Sequence, residues 1–293
     1  MEHIEPYLQY LKYEKRYSLH TIAAYRRDLS EFDVFLRNDG CFGLGVDFKS
    51  IRRWIVDLSA QGDSARTINR KIAALRSFYK YLMKKGVVEA NPMEKIGSLK
   101  TDKNLPVFVT IEKMDEMLDG EADGDEDDFS SMRDRMVLEM FYMTGMRLSE
   151  LIHLKESDID IGGMTVKVLG KRNKERIIPL TVQFCDTLRK YLSLKRKTFL
   201  HTDMLFVLDS GKPLYERWVQ RLTDKKLGMV TTMKKRSPHV FRHSFATNVL
   251  NNGADLNAIK EILGHANLAA TQVYTHNSLK RIKNIYKQAH PRA

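Results

Sequence analysis

A chain of 293 residues suits two compact domains, because single hydrophobic cores rarely keep growing beyond roughly 250–300 residues. With 43% hydrophobic and 29% charged residues it does not read as disordered, and no stretch approaches the ~20 apolar residues that span a bilayer. The net charge of +12 favours a polyanionic partner such as nucleic acid, while Cys41 and Cys185 are too few and too far apart for a disulfide framework or a zinc site.

At the N-terminus, residues 1–6 show no apolar run behind positive charge, so no secretory signal is read there. The expectation is a soluble protein of a reducing cytoplasm. Four amphipathic helices follow at a 3.6-residue period. Their apolar stripes are Ile4, Tyr7, Leu8 and Leu11; then Ile22, Tyr25, Leu29, Phe32 and Leu36; then Ile51, Trp54, Ile55 and Leu58; then Ile68, Ile72, Leu75, Phe78 and Leu82. Ser18 and Ser64 suit the N-caps of the second and fourth, and Gly86 suits the stop of the fourth. Four such helices close around one core, giving a helical domain over residues 1–90.

Opposite the stripes lie Arg26, Arg27, Arg66, Arg70 and Lys71, candidates for contact with a phosphate backbone, although a solvated face explains the same pattern. Residues 1–100 carry 18 basic and 12 acidic side chains, and the remainder carries the same net charge of +6. Both halves are therefore suited to a clamp around a duplex. Residues 91–106 run from Asn91-Pro92 to Leu105-Pro106 with little apolar periodicity and read as a linker, leaving 107–293 as a second domain.

The second domain opens with an acidic run, Glu121 to Asp128, whose charge places it away from DNA and whose spacing fits no calcium loop. A helix is expected from about Ser131 to Met143, started by Ser131 and Asp134 and stopped at Gly145. Residues 164–169 alternate like a strand, 170–174 have turn chemistry, and 175–179 return as a second strand. Helical patterns recur at about 181–197, 214–227, 240–251, 255–263 and 267–275. From Asn277 onward, Leu279, Ile282, Ile285 and Tyr286 mark one more helix, able to pack on its own domain or on a neighbouring subunit.

Late in the chain a dense set of reactive side chains appears: His239, Arg242 and His243 in one short stretch, then Leu263-Gly264-His265, then Tyr274. Arg147, in Thr-Gly-Met-Arg-Leu-Ser-Glu, would have to fold back to join them. These are the groups needed to attack a phosphodiester. The transition state carries two negative charges, and two guanidinium forks can clamp its non-bridging oxygens while staying charged at any accessible pH. Tyr274 is the candidate nucleophile, a phenol whose pKa near 10 calls for cationic surroundings or a base. Lys171 has the reach to protonate the departing oxygen, with Arg172, Lys174 and Arg176 as neighbouring alternatives. His239 suits proton transfer near the nucleophile, and His265 suits donation to a non-bridging oxygen. Glu150 and His243 suit a supporting role behind the arginines. No carboxylate or thiol completes a zinc set with the histidines.

Arg147, Lys171, His239-x-x-Arg242-His243, Leu-Gly-His265 and Tyr274 together resemble the motifs of the tyrosine recombinases, the phage-integrase-like DNA strand-exchange enzymes. The closing Ala-His-Pro-Arg-Ala and the length are similar to the Xer branch. Phe241 stands where the family usually has Leu, an apolar exchange. The resemblance implies a mainly α protein: an N-terminal four-helix, SAM-like core-binding domain, and a mixed, mostly helical catalytic domain with a small antiparallel sheet. It implies a 3′-phosphotyrosine intermediate, no cofactor and no ATP. Its implied partners are a double-stranded recombination site and three further protomers in a tetramer that exchange C-terminal helices, with a second recombinase or a DNA translocase as further candidates. The implied role is chromosome dimer resolution in a bacterial cytoplasm. Integration or excision of a mobile element, topoisomerase-like relaxation and a non-catalytic DNA-binding regulator stay open at this point.

Overall fold

The structure, a computed structural model, describes residues 2–40, 46–101, 108–120, 128–170, 174–199, 202–234, 236–264 and 276–292; for residues 276–282 only the backbone is described. The chain divides into two compact units, Met1–Asn104 and Leu105–Ala293. Both are dominated by helices, and the second adds one small sheet. Among the described residues no helix is long and apolar enough to cross a membrane.

In the first unit the four expected helices are α1 (Ile4–Tyr13), α2 (Leu19–Asn38), α3 (Phe48–Ala60) and α4 (Ala65–Lys84). Ser18 and Ser64 accept the Thr21 and Thr67 amides, each at 3.2 Å, and Asp47 does the same for Ser50 at 2.8 Å. Each cap satisfies an amide that has no partner inside its own helix. Gly86, at φ +69°, takes the left-handed turn that ends α4. The stripes meet in a core that includes Tyr7, Leu29, Phe32, Trp54, Ile72 and Phe78, with the Phe32 and Trp54 rings 4.8 Å apart.

The segment expected to be a linker begins as part of this unit. Met93 and Ile96 are buried in its core. Asn69 clamps Leu99 through both its amide and its carbonyl, at 2.7 and 2.9 Å, and Arg76 donates to the Ile96 carbonyl at 2.6 Å. Two apolar residues three apart are too short a signal to read as an element, yet they suffice to lay the chain along α4.

The second unit is built around α6 (Phe129–Thr144), preceded by α5 (Ile111–Asp119). Helix α6 starts two residues earlier than expected because Asp128, not Ser131, is its N-cap: the Asp128 carboxylate accepts the Ser131 amide at 2.8 Å. From Met136 to Thr144 every residue is buried, so it is enclosed on all sides. After α6 come the short α7 (Leu148–Ile152), a 3₁₀ turn (Glu156–Asp158) and three antiparallel strands: β1 (Ile159–Asp160), β2 (Thr165–Leu169) and β3 (Glu175–Pro179). Strand β1 is too short to leave a period in the sequence. The β2–β3 register pairs Leu169 with Glu175 and Thr165 with Pro179, and Gly170 N–H donates to Lys174 C=O at 2.8 Å, closing the hairpin.

The remaining elements are α8 (Val182–Thr198), α9 (Glu216–Val230), α10 (Pro238–Asn251), α11 (Leu256–Leu263) and α12 (His276–Ala289). The acidic run up to residue 127 and the helix expected over 267–275 lie outside the described residues.

Gly145 is required where α6 ends. Its φ is +58°, and a Cβ there would lie 2.7 Å from Phe245 and 2.8 Å from Leu263. This glycine therefore lets α6, α10 and α11 approach one another. The C-terminal residues then close the other side of α6. Tyr286 is buried and donates to the Met143 carbonyl at 2.8 Å, and Asn252 donates to the Ala289 carbonyl at 2.9 Å. His290 stacks on Tyr286 at 4.8 Å and lies edge-on to Tyr142. Its Nδ1 accepts the Arg292 amide at 3.1 Å while its Nε2 faces the Tyr142 carbonyl at 3.3 Å. Arg292 ion-pairs with Asp115 and Asp119 on α5. The tail thus packs on its own unit.

Gly145→Ala should lower stability by roughly 2–4 kcal/mol, combining a left-handed backbone penalty with overpacking, read as a lower midpoint in chemical unfolding. Burial, followed by the nearby Arg292 charge, pushes His290 down to about 4 from its ordinary 6.5. The unfolded chain therefore binds this proton first, and stability that is whole above pH 6.5 should fall by roughly 3 kcal/mol as pH drops to 4. His290→Phe should remove that slope in unfolding titrations run across the same window.

Candidate active site

The site is assembled where α6 ends, where α10 begins and where α11 stops. Past Gly145 the chain turns so that Arg147 becomes the N-cap of α7. Glu150, one turn in, accepts the Arg147 amide at 2.7 Å through one oxygen and its Nη1 at 2.8 Å through the other. Arg147 Nη2 reaches the Gly264 carbonyl at 3.3 Å.

Pro238 opens α10, where its missing N–H costs nothing. One turn later Arg242 donates Nη1 to the Gly145 carbonyl at 2.6 Å and Nη2 to the Leu263 carbonyl at 2.7 Å. Arg147 and Arg242, 95 residues apart in the chain, thereby grip adjacent carbonyls. Each spends two of its five N–H groups on these acceptors.

A third guanidinium completes the arrangement. Arg176 on β3 is buried, donates Nε to the Ile262 carbonyl at 2.7 Å, and forks onto both Glu150 oxygens at 3.0 and 2.8 Å. Three consecutive carbonyls, of Ile262, Leu263 and Gly264, thus each receive a different arginine. A helix leaves its last carbonyls unpaired and carries partial negative charge at that end, so cations are favoured there.

Three guanidiniums against one carboxylate leave an excess of two positive charges among these four side chains. Burial, and then the charges of Arg147 and Arg176, push the Arg242 guanidinium down to about 10, so it remains a cation at neutral pH. Burial alone would raise the Glu150 carboxyl, but the hydrogen bonds and charge of Arg176, with those of Arg147, hold it below the usual carboxylate range. Glu150 is therefore an anion that fixes two arginines. An excess of two charges matches a phosphorane that carries two negative ones.

The remaining expected residues divide into two groups. His239 is exposed one turn before Arg242 on α10, and His243 is half-buried next to it. Lys171, Arg172, His265 and Tyr274 lie outside the described residues. Their flanks are fixed: Gly170 and Lys174 close the hairpin, Gly264 ends α11 at φ +65°, and α12 starts at His276.

Arg176 had been only an alternative to Lys171 at the hairpin. Its burial removes it from that role. The missed signal was the period of two: Ile178 faces inward, so Arg176 must as well.

On the first unit the basic residues are not equivalent. Arg27 and Arg66 are exposed. Arg26 is exposed and paired with Glu5 at 2.5 Å, and Arg70 is exposed and paired with Asp28. Lys71 is a correction: it is 5% exposed, with its ammonium 2.5 Å from Glu31 and 2.7 Å from Asp63. A buried amine held by two carboxylates is not available to a phosphate.

Residues 108–281 match the Phage integrase family, and residues 4–86 match the Phage integrase, N-terminal SAM-like domain. The chain belongs to the phage integrase family. The tyrosine recombinase XerC of Staphylococcus saprophyticus is 38% identical, over 100% of this chain and 99% of the relative. That of Thermodesulfovibrio yellowstonii is 36% identical, over 99% and 96%.

Among solved structures, a XerH site-specific recombinase bound to its palindromic difH substrate superposes with a TM-score of 0.73 at 23% identity, covering 91% of this chain and 79% of that one. The Tn1549 transposon integrase in complex with transposon right end DNA gives 0.72 at 19%, covering 96% and 98%. These two likenesses concern the fold. The family and the full-length relatives make this chain a tyrosine-type site-specific recombinase, an enzyme that cuts and rejoins DNA.

Glu150→Gln keeps the shape and removes the anion between two guanidiniums. Unfolding should show a loss of about 3 kcal/mol, as for other buried ion pairs that lose one partner.

Proposed function

We propose that this recombinase resolves joined chromosome copies by exchanging strands at a specific DNA site. The observation that carries the reading is the meeting of Arg147 and Arg242 on adjacent carbonyls at the end of α11, directly before position 265. Two planar forks at one place suit the two non-bridging oxygens of a single phosphate. The XerC name of the full-length relatives supports the chromosomal role.

In this mechanism the Tyr274 oxygen attacks phosphorus and the bond to the 5′-oxygen breaks, leaving a 3′-phosphotyrosine and a free 5′-hydroxyl. Arg147 and Arg242 hold the non-bridging oxygens as their charge grows, and His265 donates to one of them. The tyrosine proton passes to His239, and Lys171 supplies the proton taken by the departing oxygen. The ester conserves the energy of the broken bond, so a 5′-hydroxyl from another strand can reverse the step. Arg27 and Arg66, exposed on the first unit, together with Arg172 contribute phosphate contacts that position the duplex. Arg26 reaches phosphate by releasing its exposed partner Glu5, whereas Arg70 keeps the buried Asp28 carboxylate and offers its remaining N–H groups.

Two protomers on each site and four in the synapse complete the exchange, in the cytoplasm where the chromosome lies. A second recombinase and a DNA translocase are the candidate regulators.

A nicked duplex that traps the cleaved product tests the chemistry. Wild-type protein should form a covalent protein–DNA adduct. Tyr274→Phe should form none while still retarding the duplex on a gel, and Arg242→Lys should form it at least about 100-fold more slowly. An adduct that persists without the Tyr274 hydroxyl would overturn the assignment.

A further inference from the structure

We propose that Arg176 is a positioning residue for the phosphate clamp, acting through Glu150 and the end of α11 to hold Arg147 and Arg242 in register. The inference rests on the reaction proposed above and adds a residue to it.

Arg176 stands in β3 at an inward-facing position, between neighbours where an apolar side chain would fill the slot. A buried guanidinium is an expensive choice there, because its desolvation is repaid only by excellent geometry. The geometry is of that kind. Its three donor nitrogens reach three acceptors, two on Glu150 and one on Ile262, between 2.7 and 3.0 Å.

Those acceptors belong to the two segments that carry the clamp. Glu150 Oε1 takes Nη1 of Arg176 and Nη1 of Arg147, so the two guanidiniums share one oxygen. The Ile262 carbonyl precedes the Leu263 carbonyl that receives Arg242. Arg176 therefore holds the carboxylate that orients Arg147 and the carbonyl next to the one that orients Arg242.

The walls of its slot are consistent with a demanding fit. A Cβ on Gly264 would lie 3.2 Å from the Arg176 side chain, and one on Gly170 would lie 3.2 Å from the Lys174 carbonyl and 3.5 Å from Arg176 Nη1. Two glycines, one before position 265 and one before position 171, leave the space that this guanidinium occupies. Lysine in the same slot would keep the charge but could not fork onto Glu150 while also reaching Ile262.

The test compares wild type, Arg176→Met and Arg176→Lys on three nicked suicide duplexes. One carries an ordinary scissile phosphate. The second carries a methylphosphonate, both diastereomers together, which removes one anionic oxygen from the clamp. The third carries a 5′-bridging sulfur, a leaving group that departs without a proton.

Thermal unfolding and gel retardation accompany each protein. A misplaced clamp should slow adduct formation about 100-fold on the phosphate, the cost typical of a roughly 1 Å displacement. The deficit should shrink below about 10-fold on the methylphosphonate, where less charge needs clamping, and persist on the sulfur substrate. Arg176→Lys should regain the wild-type melting temperature more fully than the cleavage rate.

Equal deficits on all three substrates would show a merely loosened fold and overturn the inference. So would a deficit that vanishes with sulfur, which would mean that Arg176 works through proton delivery from the hairpin. Variants that cleave like wild type would also sink it while leaving the reaction untouched. A wild-type protein that forms no adduct would sink both.

Discussion

The structure turns on the last three carbonyls of α11. A helix that stops inside a protein leaves acceptors that must be satisfied, and here the partners are guanidiniums from three distant parts of the chain. Arg147 arrives from the turn after α6, Arg176 from a strand, and Arg242 from the opening of α10. The end of one short helix therefore serves as the template on which three guanidiniums are arranged. Because each carbonyl is 2.7–3.3 Å from its arginine and the carbonyls are fixed by the helix, the guanidiniums inherit a fixed spacing. The preorganisation of the site is a backbone property borrowed by side chains.

Such an arrangement carries an electrostatic cost that Glu150 partly offsets. Without an anion, three cations would repel one another in a partly desolvated space, and Arg242 already shows that strain in its depressed affinity for a proton. With one carboxylate the excess is two charges, which is the demand of the reaction. A second carboxylate would stabilise the resting protein and weaken the hold on an anionic substrate.

Much of this was legible in the sequence. Ser18, Ser64 and Gly86 marked helix ends because hydroxyl caps and left-handed glycines have local causes, and the hairpin announced itself by alternation around a turn. Arg147 and Arg242 could be singled out because their residue type and neighbours suit phosphate, whatever the tertiary path. The features that escaped depend on contacts between segments far apart in the chain. Lys71 looked like its exposed neighbours until Glu31 and Asp63 closed over it. Arg176 shares its inward position with Ile178, but it looked like hairpin charge because the partners that make burial of a guanidinium possible, Glu150 and Ile262, are distant in sequence. Met93 and Ile96 looked like linker because two residues make no period.

The seat of Tyr286 and His290 against α6 has a consequence for how a distant change could reach the arginines. These residues seal the last turn of α6, just before the chain bends at Gly145 toward Arg147. A substitution that unseats this pair would therefore be felt at Arg147, although neither side chain belongs to the cluster of arginines.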